Sequence, residues 1–117
     1  MQVEQRPWGE FETLLDDKYC KVKRITIKAG HRFSLQLHHK RAEDWTCVSG
    51  LLRVTIGTSL EELRTEFVPA GCSIHIPAWT LHRAEAFEGT DAIFIEVQTG
   101  SYFGEDDITR YSDDYGR

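Results

Sequence analysis

Residues 30–50 read GHRFSLQLHHKRAEDWTCVSG, and the alternation of apolar and polar residues in this stretch indicates β-strands. Residues 32–39 alternate between the two faces of a predicted strand, which places Gln36 and His38 on the same face. Residues 43–49 form the next predicted strand, which ends at a Ser-Gly pair typical of a turn. The stretch therefore predicts two short strands, one after the other along the chain.

Short apolar runs with a period of two continue on both sides of this stretch. They are residues 19–28, 51–56, 63–68, 72–77, 81–87 and 91–98. The alternation slips near Lys23 and Arg24, which indicates a bulge. Two segments have helical features instead, residues 60–63 and residues 104–111, where acidic residues open the second one. Seven or eight short strands predict an all-β sandwich or small barrel.

Length and composition restrict the class of protein further. The 117 residues are 40% hydrophobic and 28% charged, which excludes a disordered chain and predicts one domain over residues 1–117. The net charge of −5 argues against a nucleic-acid partner. The three cysteines are odd in number and form no C-x-x-C pair, so we expect free thiols in a reducing cytoplasm. Neither a membrane-spanning run nor a signal peptide is found, so no membrane partner is expected.

Four polar side chains on different predicted strands form a candidate set of metal ligands. Gln36 and His38 leave one face of a strand, Glu43 follows after a four-residue connection, and His82 begins another strand 44 residues after His38. One amide oxygen, two imidazoles and one carboxylate suit a borderline divalent cation and leave positions open for water or substrate. Histidines on a strand are also common as plain surface or core residues, so spacing alone leaves both interpretations open.

The glycines around these residues resemble the first motif of the cupin family. In that motif, glycine is followed after five residues by His-x-His, then by glutamate and, six residues later, by glycine. Gly30, Gln36, His38, Glu43 and Gly50 have this spacing, with Gln36 in place of the first histidine.

A second cupin motif is matched further along the chain. Gly71, Pro77 and His82 have its spacing, with Trp79 where a glycine is usual and Ala86 where an asparagine is usual. The resemblance implies a double-stranded β-helix, or jelly-roll barrel, with short extensions at both ends and a metal inside it.

Segments along almost the whole chain resemble type II phosphomannose isomerase domains. They are RPWG at 6–9, VKRI at 22–25, SLQLHH at 34–39, RAE at 41–43, IP at 76–77, Thr80, HR at 82–83, EVQ at 96–98, GSYFGEDDI at 100–108, Arg110 and YGR at 115–117. That family often carries a mannose-1-phosphate guanylyltransferase domain in front, for which 117 residues leave no room, so we expect the cupin to stand alone. The family also accepts glutamine at the first ligand position.

The resemblance implies a metal-dependent isomerase that interconverts mannose 6-phosphate and fructose 6-phosphate through a cis-enediol. One divalent metal is implied, with zinc favoured and manganese, cobalt, nickel or iron as alternatives. The expected partner is a small sugar phosphate, and a homodimer is the usual cupin arrangement.

Two residues are candidates for the catalytic groups. Glu96 shares a strand face with Phe94 and Gln98, so it is either a general base or a structural carboxylate paired with an inward cation. Arg41 lies on the connection beside the metal ligands, so it either stabilises substrate charge or is a solvated turn residue. The family motif includes this arginine, which supports the catalytic role.

Four further residues are candidates for substrate contacts. Lys23 and Arg24 flank the slip in the alternation, so one of them is expected to point inward. Gln98 shares the face of Glu96, and Trp79 lies next to the expected pocket.

Two other functions stay open. One is a non-catalytic cupin that binds a sugar or sugar phosphate, favoured by Lys40, Asp44 and Trp79, which depart from the family's usual His, His and Gly. The other is a different cupin enzyme such as an oxygenase, whose pocket would not need inward Lys or Arg.

The remaining histidines are expected outside the ligand set. Alternation turns His39 away from His38, His75 is expected as a hydrogen-bonded barrel residue, and His31 as a solvated turn residue. Arg110, Arg117 and the acidic tail suggest a dimer contact or a lid.

Overall fold

A computed structural model describes residues 2–116 of the chain, so Met1 and Arg117 lie outside the described residues. Eleven strands and no helix occur in this part of the chain. The strands are β1 Val3–Arg6, β2 Gly9–Asp16, β3 Lys21–Ile27, β4 Leu35–Leu37, β5 Arg41–Ser49, β6 Leu51–Gly57, β7 Leu63–Pro69, β8 Ser73–Ile76, β9 Leu81–Ala86, β10 Ala92–Gly100 and β11 Thr109–Ser112. Between residues 2 and 116 there is consequently no helix long and apolar enough to cross a membrane.

The strands form two antiparallel sheets. One sheet has the order β1-β2-β3-β10-β5-β8, and the other has the order β11-β4-β9-β6-β7. The largest hydrophobic cluster draws residues from both sheets, and its members Trp45 and Phe94 are fully buried with ring centres 4.8 Å apart. Full burial of a side chain of this size contributes roughly 1.5–3 kcal/mol. This arrangement confirms the predicted all-β class.

Three adjacent strands carry apolar side chains at one end of their inner face and ionisable or polar side chains at the other. On β10, buried Ala92 and Phe94 are followed by buried Glu96 and Gln98. On β3, Ile27 and Ile25 are followed by Lys23. On β5 the inner face changes from Cys47 and Trp45 to Glu43 and Arg41.

Register places these polar ends side by side. Glu96 pairs with Lys23 on one side, and Gln98 pairs with Glu43 on the other. Cross-strand neighbours point to the same face of a sheet, so the ionisable groups gather at one end of the sandwich. This end holds the candidate site.

The structure corrects several sequence-based boundaries. A hairpin of β1 and β2 precedes the first predicted strand, and the segment predicted as a helix at 104–111 instead ends in β11. The strand predicted over 32–39 is limited to β4. Of residues 60–63, the first three lie in a turn and Leu63 begins β7. The predicted bulge lies one strand away, in β2, where the register shifts between Thr13 and Leu15 opposite Lys23.

Gly50 explains the sharp turn by which the chain passes from β5 in one sheet to β6 in the other. It is the one residue between the two strands, and its φ of 80° is unfavourable for any side chain with a Cβ. A Cβ at this position would also collide with the backbone oxygen of Asp91. The glycine therefore allows a single residue to connect the two sheets.

Candidate metal centre and substrate pocket

Three buried side chains converge between the two sheets. His38 directly follows β4, Glu43 belongs to β5 and His82 to β9, and their ligand atoms all lie within 4.8 Å of one another. His38 Nε2 is 3.3 Å from Glu43 Oε2, and His82 Nε2 is 3.9 Å from Glu43 Oε1. The structure thus brings together three of the four predicted metal ligands.

Backbone carbonyls fix the orientation of both imidazoles. His38 Nδ1 lies 2.6 Å from the oxygen of Asp107, and His82 Nδ1 lies 2.9 Å from the oxygen of Thr80. A carbonyl oxygen can only accept, so each Nδ1 carries the proton and each Nε2 presents its lone pair. Burial lowers the pKa of His38 and of His82 to about 4, so both rings are neutral at pH 7. This is the form in which histidine binds a metal.

His82 Nε2 provides the test of whether these residues fit a metal ion. The atom is buried and has no hydrogen-bond partner within residues 2–116. A buried acceptor without a partner costs free energy unless something satisfies it. A cation between His82, His38 and Glu43 would satisfy this lone pair and would suit the mixed nitrogen and oxygen donor set. The residues therefore fit a divalent metal.

Gln36, the fourth predicted ligand, reaches the site through its amide nitrogen. Its Nε2 is 3.4 Å from His38 Nε2, while its Oε1 accepts a hydrogen bond from Ser34 Oγ at 2.7 Å. Half a turn of the amide would direct the oxygen to the site and the nitrogen to the Ser34 hydroxyl, which can also accept. Gln36 is therefore placed to serve as a ligand after this rotation.

Arg41 is buried against the ligands and is not a solvated turn residue. Its Nε donates to Glu43 Oε2 at 2.8 Å, and its Nη2 lies 3.2 Å from His38 Nε2. The second oxygen of Glu43 accepts a hydrogen bond from Trp45 Nε1 at 2.9 Å. The guanidinium thus neutralises the Glu43 carboxylate and contacts the same atoms that a metal would use.

Glu96, on β10, lines a cavity next to the candidate metal ligands. Burial and then the charge of Glu43 raise the pKa of Glu96 to about 7, although Lys23 and Arg41 oppose the shift. A carboxylate that titrates near neutral pH has the strength required of a general base. Gln98 Nε2 donates a hydrogen bond to Glu96 Oε1.

A cavity of about 140 Å³ lies beside these groups. Its walls include Gln36, His38, Arg41, Glu43, Glu96 and Lys23. The apolar part of the wall includes Trp8, Phe11 and Phe33.

Comparison with known proteins identifies the family. A family model described as "Mannose-6-phosphate isomerase C-terminal" matches residues 2–113. The chain belongs to this family.

Relatives in this mannose-6-phosphate isomerase family are larger proteins. The xanthan biosynthesis protein XanB of Xanthomonas campestris is 46% identical over 112 residues, which is 96% of this chain and 23% of that protein. The alginate biosynthesis protein AlgA of Pseudomonas aeruginosa is 43% identical, and the mannose-1-phosphate guanylyltransferase ManC of Salmonella typhimurium is 41% identical, each over 96% of this chain and 22% of the relative. The chain thus spans less than a quarter of the length of these relatives.

Solved structures show that this member of the mannose-6-phosphate isomerase family has the cupin fold. The capsular polysaccharide assembling protein CapF from Staphylococcus aureus superposes with a TM-score of 0.82 at 18% identity, over 95% of this chain and 34% of that one. Oxalate decarboxylase from Bacillus subtilis gives a TM-score of 0.82 at 21% identity, over 93% of this chain and 29% of that one. The predicted cupin jelly roll is confirmed.

Lys23 and Arg24 leave opposite faces of β3. Lys23 is buried, lines the cavity and lies 3.0 Å from Glu105 Oε2. Arg24 lies on the outer face and pairs with Glu12 at 2.6 Å. Arg24, predicted as a substrate contact, therefore lies away from the cavity, because the period of a strand alternates its side chains.

Trp79 and Gln98, which were also candidates for substrate contacts, do not line the cavity. Trp79 is 64% exposed and does not line the cavity. Its ring contacts that of the outward-facing His39 at a tilt of 56°, with ring centres 4.2 Å apart. Gln98 is fully buried behind Glu96, so it orients the carboxylate and does not contact the cavity itself.

The other departures from the family pattern lie outside the cavity as well. Lys40 is exposed over the ring of Tyr102, and Asp44 is exposed and bonded to His75 Nδ1 at 2.8 Å. These departures therefore leave the ligand set unchanged. His75, predicted as a barrel residue, is exposed, and His31, predicted to be solvated, is half-buried with Nδ1 2.6 Å from the hydroxyl of Tyr115.

Sequence reasoning missed two residues of the tail. Glu105 Oε2 lies 3.0 Å from Lys23 Nζ and 3.7 Å from Arg41 Nη1, and Asp107 holds His38 through its backbone oxygen. The acidic residues predict a helix start, whereas in the structure the Glu105 carboxylate lies beside the inward cations and the Asp107 carboxylate accepts hydrogen bonds from the backbone. The family-specific sequence GSYFGEDDI was the signal that could have assigned them to the site.

Proposed function

We propose that this domain interconverts mannose 6-phosphate and fructose 6-phosphate through a cis-enediol. The observation that carries the proposal is that Glu96, which titrates near neutral pH, lines the same cavity as the metal-ligand residues His38 and Glu43. Membership of a family named for mannose-6-phosphate isomerase supports the substrate class.

The metal would be held by His38, Glu43, His82 and the rotated Gln36. Zinc is the first candidate, with manganese, cobalt, nickel and iron as alternatives, because both imidazole and carboxylate donors are present. A bound divalent cation would polarise the carbonyl and hydroxyl oxygens of the sugar as a Lewis acid.

Glu96 acts as the base of the proposed reaction. Its carboxylate removes the proton from C2 of the open-chain aldose while the C1 oxygen gains a proton, which gives the cis-enediol. Return of a proton from Glu96 to C1, with loss of the O2 proton, gives the ketose. Every step moves a proton and leaves the overall oxidation level unchanged.

Lys23 and Arg41 favour an anionic sugar over an oxygenase substrate. Both side chains are at least nine-tenths buried, with exposed fractions of 4% and 6%, and both line the cavity. Buried cations in a cavity stabilise the negative charge that develops on the oxygens of an enediol. An oxygenase acting on an apolar substrate would have no use for them.

A coupled assay on metal-loaded protein with mannose 6-phosphate tests the proposal. We expect turnover that a chelator abolishes and added metal restores. Full metal occupancy and sugar-phosphate binding without turnover would overturn it in favour of the non-catalytic binding module.

Metal analysis of single variants tests the ligand set separately. His38→Ala and His82→Ala are expected to lose metal, whereas the exposed His75→Ala is the matched control and should keep it. Full metal stoichiometry in the first two variants would contradict the assignment.

Two further expectations belong to this proposal. A cytoplasmic location agrees with the free cysteines Cys20, Cys47 and Cys72. A homodimer is the arrangement that the cupin resemblance implies, and light scattering at several concentrations would measure it.

A further inference from the structure

The proposed reaction requires a place for the phosphate group, which is chemically remote from the reacting atoms. C1 and C2 must approach Glu96 and the metal ligands, whereas the phosphate is carried on C6 at the other end of the sugar. The phosphate is therefore expected toward the open side of the cavity and not beside the metal.

The cations deep in the cavity are already engaged by carboxylates. Lys23 Nζ lies 3.0 Å from Glu105, and Arg41 Nη2 lies 2.8 Å from Glu43. Together with Glu96, three carboxylates face these two cations. A phosphate monoester carries about −1.5 to −2 charges at pH 7, so this region would repel it unless a carboxylate moved away.

Arg110 is different, because it lines the cavity and makes no ion pair within residues 2–116. Its Cα pairs with that of Gln36 across β11 and β4. Directly opposed residues of paired strands project to the same face, so the guanidinium extends on the side of the metal ligands while remaining exposed at the rim.

Arg6 lies at the same rim, on the N-terminal hairpin. It lines the cavity, and its guanidinium carbon is 4.9 Å from the centre of the Phe11 ring. Its only carboxylate partner within residues 2–116 is the exposed Glu4 at 3.3 Å, a contact that contributes little at the surface. Two guanidinium groups thus face one opening from the two terminal strands.

We propose that Arg110, assisted by Arg6, binds the phosphate group of the substrate at the rim of the cavity. This inference rests on the proposed function for its substrate, and it assigns the specificity for a phosphorylated sugar to β11. Guanidinium suits the site because its planar fork donates two parallel hydrogen bonds to phosphate oxygens.

The test compares Arg110→Ala with the matched control Arg64→Ala. The control also removes an exposed arginine, but from β7 and outside the cavity. We expect Arg110→Ala to raise KM for mannose 6-phosphate about tenfold to a hundredfold while kcat changes less than about threefold, as for loss of a charged hydrogen bond used equally in ground and transition states. Arg110→Lys should recover part of the loss. Equal KM values in Arg110→Ala and the control would overturn the inference and leave the proposed function standing.

Calorimetric titration with inorganic phosphate separates this inference from the proposed function. If the wild-type protein shows no turnover, the proposed function fails. The phosphate site at the rim is then tested by phosphate binding alone. Binding that is weakened about tenfold or more in Arg110→Ala but not in Arg64→Ala would support the rim site. Binding that is equal in both variants, or absent from the wild-type protein, would overturn it.

Discussion

The Nδ1 atom of His38 lies 2.6 Å from the backbone oxygen of Asp107, although 69 residues separate them in the chain. The carboxylate of the same aspartate accepts hydrogen bonds from the backbone N–H groups of His39 at 3.0 Å and Lys40 at 2.9 Å. Burial opposes ionisation, yet these donors keep the pKa of Asp107 below its usual value. The C-terminal tail is therefore part of the candidate metal centre.

Asp107→Ala keeps the backbone oxygen that orients His38 but removes the carboxylate that anchors this oxygen to the backbone of His39 and Lys40. We expect metal binding to weaken about tenfold, the lower end of the 10- to 100-fold that partners of a metal ligand contribute. Competition of the protein with a chelating dye at neutral pH measures the change. Asp106→Ala is the control, since its exposed carboxylate bonds to the Tyr102 hydroxyl and not to a metal ligand. Equal affinities in the two variants would show that the tail does not orient His38.

Glu96→Gln is expected to lower kcat by about 10²- to 10⁴-fold, the usual contribution of a general base. In the wild-type enzyme, activity should rise with pH through about 7, because Glu96 must lose its proton to act. The variant should keep its metal, and the control Glu66→Gln, which changes a 44% exposed side chain outside the cavity, should behave as wild type. Near-normal turnover in Glu96→Gln would remove this residue from the mechanism.

The stability of the metal-free protein is expected to fall on acidification from pH 6.5 to about 4. The pKa values of His38 and His82 are lowered from 6.5 to about 4 in the folded state, so the unfolded chain binds more protons in this range. Glu96 opposes the trend, because its pKa is raised from 4.5 to about 7 and the folded state binds its proton first.

Urea unfolding in the presence of a chelator measures these contributions. The free energy of unfolding should fall less steeply with acid in His82→Asn than in the wild-type protein, and more steeply in Glu96→Gln. The reverse order of slopes would mean that these groups do not titrate as the structure implies.

Trp79→Gly is expected to leave kcat and KM unchanged within about twofold, because Trp79 does not line the cavity. Trp79 has a φ of 63°, a left-handed conformation that costs a side chain roughly 1–2 kcal/mol and glycine almost nothing. Loss of the tilted ring contact with His39 and the greater freedom of glycine in the unfolded chain offset this relief. Thermal unfolding should therefore change little, and a large loss of activity would show that Trp79 reaches the substrate.

The all-β fold and the convergence of three candidate ligands could be predicted from the sequence because both follow from local patterns. Period-two alternation identifies the strands, and the motif spacing selects His38, Glu43 and His82, which the structure brings together. Alternation also predicts that His39 lies outside the ligand set, and the contact of its ring with exposed Trp79 agrees.

The structures of the C-terminal tail and the N-terminal hairpin could not be predicted from local patterns, because they depend on contacts between residues distant in sequence. β11 is a four-residue strand that pairs with β4, and its neighbour Asp107 bonds to residues 67–69 positions earlier. The acidic residues before β11 resemble a helix start in the sequence. Only the folded chain shows that Glu105 lies beside the inward cations Lys23 and Arg41. For Lys23 and Arg24, alternation required one inward side chain, but only the packing of β3 shows which.

Proton NMR of the metal-loaded protein with mannose 6-phosphate in D₂O tests whether the domain is an isomerase that uses a cis-enediol. A cis-enediol passes its proton through Glu96, which exchanges with solvent, so fructose 6-phosphate should form with deuterium at C1, and addition of a chelator should stop the reaction. Product without solvent deuterium would contradict the enediol route, and no product from fully metal-loaded protein that binds the sugar phosphate would contradict the isomerase itself.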